Sequence, residues 1–71
     1  MHLDKKPTSD EISKARRGGY RNKRPRKPKA NASLPVMENW AGRYNEWCKG
    51  VKQGVKDYAT KDKLRTEIRT R

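Results

Sequence analysis

SLPVMENWAGRYNEWCKGVKQGVKDYA, residues 33 to 59, holds most of the large apolar side chains of this chain. Met37, Trp40, Tyr44, Trp47, Val51 and Tyr58 recur at spacings of 3, 4, 3, 4 and 7, with Cys48, Val55 and Ala59 alongside. That is the period of one face of an α-helix. At 100° per residue all nine fall in a sector of about 120°. Glu38, Asn39, Arg43, Asn45, Glu46, Lys49, Lys52, Lys56 and Asp57 lie outside the sector. Ser33 is a suitable N-cap, and Pro35 in the first turn costs no hydrogen bond. The pattern predicts an amphipathic helix over about 35–59, roughly 37 Å long at 1.5 Å per residue.

Three glycines interrupt this helix. Gly42, Gly50 and Gly54 each cost about 1 kcal/mol against Ala in a helix interior. Gly50 and Gly54 lie one turn apart beside Trp47, where they would form a shallow groove for close approach. The alternative is that Gly50 ends a shorter helix and a second segment follows. Beyond Tyr58 the stripe is lost, because Leu64 and Ile68 fall on roughly the opposite side of a continued helix. Either the helix breaks near Thr60, which could cap a short C-terminal helix, or the last turns serve a separate surface.

Upstream, Thr8-Ser9-Asp10-Glu11 has the spacing of a capping box, Thr8 capping and Glu11 reaching back. Acids at Asp10 and Glu11 and bases at Lys14, Arg16 and Arg17 suit the helix dipole, and Gly18-Gly19 stops the run. The predicted helix 9–17 has only Ile12 and Ala15 to bury and is too short to persist alone in water. From Gly18 to Ser33 there is no periodicity. Pro25 and Pro28 favour an extended backbone there. Residues 1–33 are therefore expected to form a flexible, largely disordered basic arm, and 34–71 a helical segment for assembly or docking. The fold class is mostly α.

Charge is distributed unevenly. Residues 1–33 carry eleven bases and three acids, 34–59 four and three, and 60–71 five and two. The net of +12 thus belongs to the flanks, and with 30% hydrophobic residues it is the composition of a partly disordered chain. One cysteine and one histidine exclude an intramolecular disulfide and a four-ligand Cys/His zinc site. His2 is read as incidental, and Cys48 as a small semi-buried apolar residue rather than an activated thiol. With no phosphate loop and no paired carboxylates, the chain reads as a non-enzyme without cofactor or metal. The absence of a long apolar run points away from membranes and signal peptides. A cytoplasmic location is expected, or a nuclear one in a eukaryotic host.

Residues 14–29, KARRGGYRNKRPRKPK, hold nine bases and no acid. A basic strand of this kind neutralises phosphates and releases counterions whatever the base sequence. Arginine adds bidentate phosphate contacts and stacking. Lys14, Arg16, Arg17, Tyr20, Arg21, Lys23, Arg24, Arg26, Lys27 and Lys29 are the expected nucleic-acid contacts. Within this stretch KRPRKPK (23–29) resembles an AT-hook, with Arg26-Lys27-Pro28 in place of the hook's central glycine. RRGGYR (16–21) is similar to one unit of the Arg-Gly-Gly segments of RNA-binding proteins. The two resemblances imply different nucleic acids, so RNA and DNA both stay open.

Burying the aromatic stripe would be worth on the order of 10 kcal/mol at about 25 cal/mol per Å². The flanks look too short to cover it, so Met37, Trp40, Tyr44, Trp47, Val51, Val55 and Tyr58 are expected at an interface with a second copy or another protein. The leading expectation is a small basic nucleic-acid-binding protein, an accessory or regulatory factor, that grips phosphates with its arm and assembles through its helix. The alternative is an adaptor or inhibitor whose aromatic helix docks on a larger machine.

Overall fold

The computed structural model describes residues 3–71 and contains two helices, α1 (Ser9–Arg17) and α2 (Leu34–Thr70). No strand occurs among the described residues, and His2 lies outside them. The fold is small and helical, as expected.

α1 forms where its capping box starts it. The Glu11 N–H donates to Thr8 Oγ1 at 3.2 Å, and the Thr8 N–H donates to Glu11 Oε1 at 3.3 Å. Lys14 and Asp10, one turn apart, pair at 3.2 Å. The helix ends in a Schellman turn: the Gly19 N–H donates to the Arg16 carbonyl at 3.0 Å and the Tyr20 N–H to that of Ala15 at 2.9 Å. Gly19 holds φ at 107°, a left-handed conformation that a β-carbon would disfavour. This turn aims the chain back at α2.

α2 begins at Ser33, whose hydroxyl makes no capping bond, while its carbonyl accepts from the Met37 N–H at 3.1 Å. Its end differs from the expectation. The helix runs 37 residues without a break, about 55 Å at 1.5 Å per residue, so it sets the 58 Å length of the molecule. Neither the short C-terminal helix nor the stop at Gly50 occurs. Thr60 is not a cap: its hydroxyl donates back to the Lys56 carbonyl at 3.1 Å, inside the helix. After Gly54 the chain has no Gly or Pro and holds six Lys or Arg, which carry a helix onward.

The larger correction concerns what covers the stripe. Residues 3–33, expected as a disordered arm, lie along α2. Ala15, Tyr44, Trp47, Cys48 and Val51 form the core, with Ile12, Tyr20, Trp40 and Val55 packed around them. Trp47 is 5% exposed and Cys48 fully buried. The expectation that the flanks are too short to cover the stripe therefore fails, and its reason lies in the glycines. A β-carbon on Gly54 would stand 2.9 Å from those of both Ala15 and Tyr20, and one on Gly18 would stand 2.8 Å from the Tyr58 backbone nitrogen. Gly50 gives its space to the Tyr20 ring. The groove anticipated at Gly50 and Gly54 exists, and α1 with the turn after it fills that groove.

Further anchors hold the rest of the arm. Trp47 Nε1 donates to the Asn22 carbonyl at 3.1 Å, and the Asp4 N–H donates to Asn45 Oδ1 at 2.9 Å. The Cys48 thiol faces the Lys5 carbonyl at 4.0 Å. Sheathing stops near Tyr58, and every residue from Ala59 to Arg71 is exposed.

Candidate nucleic-acid interface

The anchor at Asn22 divides the basic arm. On one side Arg16, Arg17, Arg21 and Lys23 line a recess of about 430 Å³ at the end of α1. On the other, Arg24, Arg26 and Lys27 meet Lys6 around Trp40 and Tyr44, in a recess of about 390 Å³ whose wall includes Pro25. No acidic residue lines either recess. Lys29 stands apart from both, in an apolar groove with Leu3, Leu34, Met37 and Trp40.

Two of the expected contacts have other employment. Tyr20 is packed on Gly50, and Lys14 is paired with Asp10. Among the described residues this is the one ion pair, so the other arm cations have no carboxylate partner. Close to one another and unneutralised, they make a surface where an anion replaces mutual repulsion with attraction.

The expected interface residues are spread over different depths. Tyr44, Trp47 and Val51 are buried by the chain itself, whereas Met37, Trp40, Val55 and Tyr58 keep part of their surface. Their rings form a ladder, Trp40 to Tyr44 at 5.3 Å and Tyr44 to Trp47 at 5.8 Å between centroids. The two indoles differ in their hydrogen bonding. Trp47 Nε1 has the Asn22 carbonyl, but Trp40 Nε1 is buried with no partner in the protein. A buried indole N–H ordinarily finds an acceptor.

Burial, followed by the nearby Cys48, pushes the Tyr44 phenol above its ordinary pKa. Burial, followed by the nearby Asp4, pushes the Cys48 thiol up as well. A raised thiol pKa leaves little thiolate near neutral pH, the opposite of an activated nucleophile. No group of three or more His, Cys, Asp or Glu that could hold a metal occurs among the described residues. No helix there is long and apolar enough to cross a membrane.

Sequence reasoning missed Lys6 and the role of Trp40 and Tyr44 as the wall of a cationic recess. Lys6 stands eighteen positions before Arg24, and no local pattern joins them. The unpaired indole gives no sequence signal either. The chain matches no family model, no curated protein and no solved structure.

Proposed function

We propose that this protein binds nucleic acid through its arm, as a small accessory or regulatory factor. The observation that carries the reading is the pair of acid-free recesses, which gather eight Lys or Arg side chains without a carboxylate partner. Phosphate is the anion such a surface suits, because guanidinium groups bond it bidentately and binding releases its counterions. Anchoring at Asn22 and Lys5 means that part of the arm's conformational entropy is lost before binding rather than on it. The AT-hook resemblance fits this reading less well. A hook lies as a free extended strand in the minor groove, and here Arg24, Arg26 and Lys27 stand around an aromatic wall.

Affinity should then fall steeply with salt. With about six phosphates neutralised, log K against log[salt] has a slope of roughly −5 on duplex DNA. Replacing Arg16, Arg17, Arg24 and Arg26 with Ala should flatten it by several units. A salt-independent affinity, or no binding at low salt, passes the lead to the second reading.

That second reading is a protein-interaction adaptor. It is favoured by Leu64 and Ile68, 52% and 75% exposed and one turn apart on the unsheathed part of α2. The docking surface would then be this tail rather than the aromatic seam, with Met37, Trp40, Val55 and Tyr58 as secondary contacts. Sedimentation at several concentrations distinguishes self-association from a monomer that waits for a foreign partner.

A further inference from the structure

Resting on the nucleic-acid reading, the geometry points to a single strand as the ligand: we propose that the recess beside Trp40 and Tyr44 takes one unpaired nucleotide. Its base lies against the Trp40 indole, and its phosphates are held by Lys6, Arg24, Arg26 and Lys27. Three observations converge on this assignment.

The first is the composition of the wall. Four cations and two aromatic rings line one recess without an acid. A bare phosphate needs only the cations, and an apolar ligand needs only the rings. A nucleotide uses both, because every base has a π-face and every linkage a negative charge. The second recess, made by Arg16, Arg17, Arg21 and Lys23, contains no aromatic residue and suits phosphate alone. The two recesses therefore do different work, one gripping backbone and the other taking a base.

The unpaired indole is the second observation. Trp40 Nε1 is a buried donor with no acceptor in the protein. Trp40 also lines the recess, and its residue as a whole is only half-buried. Because that N–H has no surface of its own, the Trp40 side chain must shift as the recess fills before a base carbonyl or phosphate oxygen can supply the acceptor that Asn22 gives to Trp47.

Size and access complete the argument. A space of about 390 Å³ is at the small end of ligand pockets, which run from about 300 to 1,000 Å³. It has room for one nucleotide. A paired base lies inside its stack and must be flipped out before it can enter, whereas a single strand presents its bases directly.

The test uses the full chain, with fluorescence anisotropy of a labelled oligothymidylate, an oligouridylate and a mixed-sequence duplex of the same length at one low salt concentration. Both single strands should bind more tightly than the duplex, and their relative order reports the combined effect of the 2′-hydroxyl and the thymine methyl group. Trp40→Leu should weaken single-strand binding by roughly 5- to 150-fold, the usual worth of one stacked base, and leave duplex binding within about twofold. A second pair of variants decides the matter should Trp40→Leu lose its helical circular dichroism. Arg24→Ala with Arg26→Ala should weaken single strands more than duplex, and Arg16→Ala with Arg17→Ala should weaken both alike. Equal losses for single strand and duplex in the Arg24/Arg26 variant would overturn the nucleotide recess while leaving nucleic-acid binding intact. A wild type that binds none of the three probes would overturn the parent reading as well.

Discussion

α2 is one helix with two kinds of surroundings. Over residues 34–58 it is sheathed by the arm, and over 59–70 it stands bare. The sheathed part contains all three of its glycines, and the bare part has none. By propensity alone the sheathed part is the poorer helix. It persists because two of them, Gly50 and Gly54, are where another segment comes close, so that what they cost in helix formation is offset by the burial they permit. The bare part has good helix formers and side-chain hydrogen bonds such as Thr66 Oγ1 to the Asp62 carbonyl at 3.1 Å, but no core. A helix segment of this length without packing is marginal in water. The two halves thus owe their helicity to different physics, and perturbations should separate them.

The largest effect is expected at Trp47. Trp47→Ala removes the most buried ring of the core and the bond to Asn22, and should cost about 3–5 kcal/mol in urea unfolding. Amide exchange of arm residues should rise with it, while exchange in residues 60–70 stays as in the wild type. A tail that loosened equally would mean that the two halves are one cooperative unit.

The glycines come next. Gly54→Ala puts a β-carbon 2.9 Å from that of Ala15 and should destabilise by about 1–3 kcal/mol through overpacking. Gly42→Ala meets open space and should instead stabilise by up to about 1 kcal/mol. Both substitutions improve helix propensity by the same amount, so the opposite signs isolate the close approach. Equal signs would show that α1 is not seated on Gly54.

Alkaline pH should act on the sheathed part alone. Burial raises the pKa of both Cys48 and Tyr44 in the folded chain. The folded state therefore holds those protons more firmly than the unfolded one. The resulting stability is fully present below the pH at which the free groups ionise, and is lost as pH rises through the folded values. Urea midpoints should fall across that range, and Tyr44→Phe should remove part of the fall. A flat profile would mean that the core opens too easily to hold a proton.

The smallest effect belongs to the bare half. Leu64→Ala removes an exposed side chain and should change global stability by no more than about 0.5 kcal/mol. A loss of several times that would reveal a partner surface on Leu64 and Ile68 in the purified protein, which sedimentation would then register.

Much of this contrast can be read along the chain. The period of Met37 to Tyr58 marks the side of α2 that is buried, and Thr8 with Glu11 marks where α1 starts. The continuation past Thr60 was legible too, in the absence of Gly and Pro after Gly54. The loss of the stripe conceals it, because a change of apolar face has the same local pattern as a change of element. The site was half legible. The density of bases between Lys14 and Lys29 identifies the kind of ligand, but nothing local shows that Tyr20 is spent on packing or that Lys6 joins Arg24.

What the sequence by itself determined is therefore the inventory: helix starts near Thr8 and Ser33, one apolar stripe, and a basic arm whose stretch 14–29 has no acid. The tertiary structure alone decided what covers the stripe, and so which residues are left for a ligand. Periodicity reports which face of a helix avoids water, and it is indifferent to whether the cover comes from the same chain or another. That choice rests on contacts between distant positions: the Schellman turn at Gly19 that sends the chain back, the absence of a β-carbon at Gly54, and the indole N–H of Trp47 facing the Asn22 carbonyl. Each depends on distances across the fold, which a local pattern of residue types does not encode.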